Sequence, residues 1–358
     1  MLRRHSVQRS CFPERRIQVR RRRISGVHAV ILIQCLESIM VDAKRRASVV
    51  VSASEAGKPL IDVLSSRFRY HDRNQWLERI DQNRLLINGY PACADAVLRS
   101  GDFLEYCFQP IPEPPVDADF SIVFEDRHIL VINKPPCLPC HPSGRYFHHT
   151  LWSLLRKAGI CSHMELVNRI DRETSGLVLI ARTPKAAHAC RHQFEKHRVF
   201  KRYLALVHGR FTAKRIMAQG WMAPDSASRI RKKQRFYPLA PTPAQNARAC
   251  ATVICKRKTG DRISLVQAFA RTGRNHQIRA TLLALGYPVV GDKLYGLDEE
   301  IFIRFIEDRL DHADMERLIL SHQALHAAEL RLLHPESRLP VRFLAPMPAE
   351  MKKLADQQ

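Results

Sequence analysis

Three short polar runs interrupt apolar stretches of the chain, and each holds residue types that bind anions or move protons. The first is Asn168-Arg-Ile-Asp171-Arg-Glu-Thr-Ser-Gly176, directly ahead of the apolar run Leu177 to Ile180. A carboxylate at the mouth of a buried strand is held by a rigid element, as a catalytic acid or nucleophile must be. The same run also reads as a surface loop whose Arg–Asp pair has little energetic weight. The second run, Lys201-Arg202-Tyr203, heads another apolar stretch. The Tyr203 ring is either core or, beside a cavity, a flat surface for a nucleobase, worth roughly 1 to 3 kcal/mol per stacked base. The third, Arg271-Thr-Gly-Arg-Asn-His-Gln-Ile-Arg279, stands between an expected strand and an expected helix. Its donors near a helix start suit an anionic ligand, or equally a solvated loop.

Other chemistries find little support. Cys137-Leu-Pro-Cys140 followed by His141 is half of a zinc pattern, but Cys250 and Cys255, with four residues between them, make a poor second half. Ten cysteines in 358 residues are far below the density of a disulfide scaffold, so reduced thiols and no metal are expected. No glycine-rich dinucleotide fingerprint or Walker loop is present.

The charge balance is more informative. Lys plus Arg number 58 against 35 Asp plus Glu, a formal +23. Residues 1–36 hold nine Arg and one acid, Glu14, and removing them leaves +15 on the remainder. That field calls for a polyanion or a membrane surface as partner. The apolar stretch Val27 to Cys35 is broken by His28 and Gln34 and falls well short of the roughly 20 residues a membrane span requires. The leader reads as an organellar targeting peptide, a disordered tail or an extension ahead of a start at Met40. The body is taken as cytoplasmic, with organellar targeting left open.

The elements that must hold these runs divide the chain at Gln109-Pro-Ile-Pro-Glu-Pro-Pro-Val116, where four prolines in eight residues forbid helix or central strand. Before it, Leu60, Ile61, Leu64 and Phe68 share a helical face; a second helix runs from Arg73 to Ile80, and strands follow around Asn88-Gly89 and Gly101-Asp102. Arg67, Arg69, Arg73 and Arg79 suit either a nucleic-acid face or a solvated helix surface. Beyond the linker, strands alternate unevenly with isolated helices, a pattern of an α+β domain on a mixed sheet. The expected layout is a leader over 1–50, a small domain over 51–108, a linker over 109–118, a larger domain over 119–347 and a tail over 348–358.

Taken together and in order, the three runs resemble the signature segments of the RluA-type pseudouridine synthases, over roughly residues 120–346. The family's first motif reads approximately His-Arg-Leu-Asp-x-x-Thr-Ser-Gly, which places its catalytic aspartate on Asp171. Its active-site tyrosine falls on Tyr203, and the arginine that pairs with the aspartate falls on Arg279, in a run like Gly-Arg-Thr-His-Gln-Ile-Arg. Gly286-Tyr-Pro288, Gly291-Asp292 and His326-Ala327 are similar to further landmarks. Residues 57–108 resemble the S4-type RNA-binding domain through Ile87-Asn-Gly89 and Gly101-Asp102. Asn168 stands where the family has His, Asn275 where it has Thr and Thr281 where a His is common. The stretch His141-Pro-Ser-Gly-Arg-Tyr146 is similar to one in members acting on transfer RNA.

The resemblance implies a pseudouridine synthase fold on a mixed, largely antiparallel sheet with flanking helices. It also implies an RNA isomerase acting on ribosomal or transfer RNA without cofactor or metal, because every atom of the uridine is retained. The target base must flip out of its stack. Asp171 must be ionised, Arg279 would lower its pKa, and Tyr203 would stack on the uracil and take the C5 proton. Arg169, Arg274, His276, Asn168, His141 and Lys201 are the expected RNA contacts. A single chain without protein partner is expected. The rivals are a non-catalytic RNA-binding protein on the same fold, and a nucleic-acid hydrolase, which would want a second carboxylate or metal ligands where only Glu173 lies near.

Overall fold

In the computed structural model, residues 46–68, 71–108, 112–160, 163–238 and 246–358 are described. The basic leader and Arg69 lie outside them. They form two compact units; the chain passes between them at residues 115 and 116, inside the proline-rich segment, and residues 142–149 group with the N-terminal unit.

The N-terminal unit starts earlier than expected. β1 (Arg46–Val50) pairs antiparallel with β4 (Phe103–Cys107), so a strand ahead of residue 51 belongs to this unit. Basic and polar residues hid this strand, whose side chains are mostly exposed. Helices α1 (Leu60–Arg67) and α2 (Arg73–Asp81) pack on the sheet β1-β4-β2-β3, with β2 at Leu85–Ile87 and β3 at Tyr90–Pro91. Asp72 caps α2 in a reciprocal box with Gln75. Asn88 and Gly89, both at positive φ, make the two-residue hairpin between β2 and β3. The Asn88 amide donates to Asp102 and accepts from Phe103 N–H, so the two turn signals lock together as structure. Arg67, Arg73 and Arg79 pair with Glu55, Asp62 and Glu78.

The C-terminal unit is built on one 11-stranded sheet. Its first strands are β5 (Ser121–Glu125), β6 (Ile129–Lys134), β7 (Glu165–Leu166) and β8 (Ser175–Ala181), with α3 (Leu151–Lys157) between β6 and β7. Then come α4 (Pro184–Glu195), capped by Thr183 with Pro at its start, and β9 (Phe200–His208), β10 (Arg215–Pro224), β11 (Gln234–Pro238), β12 (Arg248–Lys258) and β13 (Ile263–Ala270). Helices α5 (Gln277–Ala284), α6 (Glu300–Ile306) and α7 (His312–Leu318) precede β14 (Leu325–Leu333), β15 (Pro340–Leu344) and α8 (Ala349–Asp356). The order is β11-β10-β12-β13-β9-β14-β8-β6-β5, with β15 on β14 and β7 on β8. Only the β14–β8 contact is parallel among the described pairs. This is the mixed, largely antiparallel α+β fold.

β8 explains why a near-continuous apolar run was needed. Leu177 and Leu179 enter one core with α4, while Val178 and Ile180 enter another with α3, and all seven strand residues are buried. The presumed tail at 348–358 is not a tail: α8 buries Met351 and Ala355 against the core beside β13. Its short amphipathic run carried too few apolar residues to stand out in sequence. β10 and β11, also absent from the sequence reading, extend the sheet past β12.

Candidate active site

Asp171 sits in the turn that leads into β8, and two close backbone approaches fix that turn. Gly176 has φ of 108° and its missing Cβ would lie 2.7 Å from Ala327 N, so only glycine lets β8 run this close to β14. Gly291, at φ 76°, abuts the backbone of His322 in the same way. This brings Asp292 and the 320–323 loop towards Asp171. Gln323 donates to Thr174 and also bonds the Asp171 carboxylate.

Arg279, in the first turn of α5, reaches this carboxylate. Its Nη1 donates to Asp171 Oδ2 at 2.7 Å. Its other bonds go elsewhere: Nε and Nη2 form a two-pronged contact with Asp292 at 2.6 and 2.8 Å. Asp292 has no exposed side-chain surface, and its Oδ1 also accepts from the N–H groups of Leu294 and Tyr295. The Arg279 guanidinium lies 4.8 Å from the Tyr295 ring centre. Two carboxylates therefore share one cation. Asp292 takes the bidentate fork and Asp171, with 28% of its side chain exposed, keeps an accessible oxygen. Burial would raise the Asp171 pKa, but the Arg279 charge and the hydrogen bonds from Arg279 and Gln323 outweigh it and hold the group below the ordinary carboxylate value. Asp292 is lowered by the same opposition of burial and Arg279.

His276 joins from the N-terminal end of α5, in a left-handed conformation. Its Nε2 lies 4.0 Å from Asp171 Oδ1, and its Nδ1 is 2.9 Å from the Tyr295 hydroxyl, which accepts from Gln234 N–H. Burial pushes its pKa down to about 4, so it is neutral at pH 7. Tyr203 pairs with Ala268 on one side and Ala327 on the other, and packs among Ile170, Ala327 and Cys140. Burial, then the nearby Asp171 charge, pushes its phenol up to about 12. Lys134 is fully buried; its Nζ donates to the carbonyls of Pro135 and Arg172. Burial brings it down to about 8, against the opposing charge of groups that include Asp171.

The remaining expected contacts are spread out. Asn168 spends its amide on β8, accepting from Leu179 N–H at 2.7 Å and donating to the Leu177 carbonyl, so it clamps the backbone of that strand. Arg169 is exposed, and His141 is half-buried close enough for its charge to be felt. Lys201 Nζ donates to the Thr272 carbonyl, and Arg274 Nε to the Ala249 carbonyl. Glu173, the only other acid near Asp171 in sequence, is bound by Lys293 and Arg172. Sequence reasoning missed Asp292 as Arg279's main partner, although Gly291-Asp292 had been singled out. It also missed Gln277, which ties the third polar run to β12 through Ala251 and Thr252. A buried arginine with one partially exposed partner should have prompted the search for a second acid.

A family model described as RNA pseudouridylate synthase matches residues 128–284, which include Asp171, Tyr203 and Arg279. Over 314 residues the chain is 30% identical to the ribosomal large subunit pseudouridine synthase D of Xanthomonas campestris pv. campestris, covering 85% of this chain and 90% of that one. The chain belongs to the RNA pseudouridine synthase family. Like other RNA pseudouridine synthases it is an isomerase of uridine in RNA. It is also 31% identical over 242 residues to the mitochondrial tRNA pseudouridine(32) synthase of Saccharomyces cerevisiae, covering 68% of this chain and about half, 51%, of that relative's length. Among solved structures, human RNA pseudouridylate synthase domain containing 1 superposes with a TM-score of 0.51 at 26% identity, over 66% of this chain and 86% of that one. In this synthase no helix among the described residues is long and apolar enough to cross a membrane.

Proposed function

We propose that the chain converts uridine to pseudouridine at flipped-out positions of ribosomal or transfer RNA, with Asp171 as the catalytic carboxylate. The observation that carries this is the unequal sharing of Arg279. Bidentate pairing with buried Asp292 fixes the guanidinium, and the single remaining bond orients Asp171 without covering it. The N1–C1′ bond breaks, the uracil turns, the C5–C1′ bond forms, and C5 gives up a proton while N1 gains one. The ionised Asp171 oxygen either attacks C1′ or takes a proton from C2′ on the way to a glycal. Both routes need the charged form, which the lowered pKa supplies at neutral pH.

Tyr203 serves first as a stacking surface. Its raised pKa keeps the hydroxyl protonated, so it accepts the C5 proton only as its own passes on to a neighbouring base or water. Neutral His276, facing Asp171 Oδ1, is a hydrogen-bonding partner for the uracil edge. Arg169, Arg274, Lys201 and His141 contribute to RNA contact around the site. The N-terminal unit, similar to an S4-type domain, supports RNA capture rather than chemistry. The protein works as a single chain in the cytoplasm, and the arginine-rich leader offers a route to an organelle such as the one named for the yeast relative. Size-exclusion chromatography and localisation with and without residues 1–39 check these two points.

The test is a pseudouridine map of total RNA from cells lacking the gene, repeated after restoring it. One or a few sites in ribosomal or transfer RNA should vanish and return. An unchanged map, with the protein expressed, would mean that the chain binds RNA without modifying it.

A further inference from the structure

Along β13, β12 and β10 one face of the large sheet is less deeply covered than the other, although Val253 at its floor is buried. Along β13 the residues alternate, with Val266, Ala268 and Ala270 buried in the core and Leu265, Gln267 and Phe269 only half-buried. β10 alternates in the same sense, and its Met217 is 52% exposed. The register places Phe269 beside Val253 and Val253 beside Met217, and Tyr203 opposite Ala268, so this less covered face is turned away from Tyr203. A groove of about 410 Å³ runs along it, and Phe200, Phe269, Arg198, Arg215 and Arg271 contribute to its lining. The Phe200 and Phe269 rings are 5.7 Å apart, Phe200 is 38% exposed, and the Arg331 guanidinium lies 4.7 Å from its centre.

Charge accumulates around these rings. Buried Glu329 accepts from Arg202, Arg331 and Arg342 at 2.7, 2.6 and 2.7 Å, so one carboxylate holds three guanidinium groups, one of which, Arg331, lies over the Phe200 ring. With Arg198, Arg215 and Arg271 all exposed nearby, cations far outnumber acids. An exposed Phe200 ring beside a half-buried Phe269, rimmed by arginine, matches what a single-stranded nucleic acid needs: a surface for bases to stack on and cations for its phosphates.

We propose that this face is a second RNA-binding surface, a platform for an unpaired segment of the substrate RNA away from the target uridine. Phe200 and Phe269 would stack bases while Arg198, Arg215 and Arg271 hold phosphates. The idea rests on RNA being the substrate, and positive charge with an exposed aromatic ring favours RNA over a protein or a second copy of this chain as occupant.

The test uses the full chain and a ten-nucleotide oligouridylate followed by fluorescence anisotropy. Phe200→Ala should weaken binding roughly 5- to 100-fold through loss of one stacked base. Phe200→Leu, which keeps apolar bulk at the position, should weaken it too. The double variant Arg198→Gln/Arg215→Gln should lower the slope of log affinity against log salt by about 1.4, or about 0.7 for each phosphate on a single strand. Ultraviolet crosslinking of the oligonucleotide should mark the peptide carrying Phe200 or Phe269. Unchanged affinity, slope and crosslinks in the variants would overturn the platform, as would sedimentation showing that Phe200→Ala dissociates a dimer. These readouts do not depend on turnover. A wild-type protein that forms pseudouridine yet loses nothing in them refutes the platform alone, and one that binds the oligonucleotide as expected but forms no pseudouridine refutes the enzymatic reading alone.

Discussion

Substituting Asp292 by Asn separates structural from chemical roles in the carboxylate pair. Asp292 is wholly buried, its partner Arg279 is 8% exposed, and Nε and Nη2 of the guanidinium both donate to it. Replacing Asp292 leaves Arg279 only its single bond to the partly solvated Asp171 and removes or weakens two charge-assisted bonds in a buried site, at a cost of about 3 to 5 kcal/mol. An Asn retains one oxygen, so the lower end applies if Nε keeps its bond. At roughly 2 to 4 °C per kcal/mol for a domain of this size, the unfolding midpoint should drop by roughly 6 to 20 °C. Asp171→Asn behaves differently, because Asp292 still neutralises Arg279 and Asp171 is partly solvated. Its cost should stay near 1 kcal/mol or less. Thermal and urea unfolding of both variants, with far-ultraviolet circular dichroism, measure the contrast. Equal stability of the two, or a greater loss for Asp171→Asn, would refute the unequal sharing of Arg279.

Part of the pH dependence of stability follows from the same pair. Both carboxyls have depressed pKa values in the fold, so their contribution is complete above the unfolded value near 3.9 and is lost as pH falls through the folded values. Stability to urea should weaken already as pH falls below about 6.5, where the unfolded chain protonates His276 and His326 that burial keeps neutral in the fold, and weaken further below about 4 through the carboxyls, this second fall being less steep in Asp292→Asn. Tyr203→Phe keeps the ring but loses the hydroxyl; single-turnover rates should fall roughly 10²- to 10⁴-fold if that group moves the C5 proton, with RNA affinity retained. Deleting residues 349–358 removes buried Met351 and Ala355, and the midpoint should fall by an amount set by a cavity cost of about 2 to 5 kcal/mol for the methionine alone. An unchanged midpoint would return the segment to the status of a tail.

Much of the site was legible because the three polar runs each begin or end an apolar element, and rigid strands and a helix start then deliver Asp171, Tyr203 and His276 to one place. Arg279 was legible as Asp171's partner only through the family resemblance, since more than a hundred residues separate them. What sequence hid was the division of its bonds. Asp292 lies behind a glycine whose need for positive φ comes from the backbone of His322, a contact visible only in three dimensions. Asn168 stands out in sequence because it occupies the place where the resembling family has His, and what the sequence could not show is that its amide bonds the backbone of β8. The first strand and last helix were lost for a different reason. β1 fully buries none of its residues and α8 only Met351 and Ala355, so neither shows the apolar rhythm that revealed β8.

The central claim is that Asp171 supplies the anion that breaks the glycosidic bond. Its most direct test is single-turnover pseudouridine formation by purified wild-type and Asp171→Asn protein on an RNA carrying the uridine found by mapping. The Asn variant should fold, bind that RNA at least as tightly because a negative charge near the phosphates has gone, and form no pseudouridine. Pseudouridine formation by the Asn variant at the wild-type rate would contradict the account.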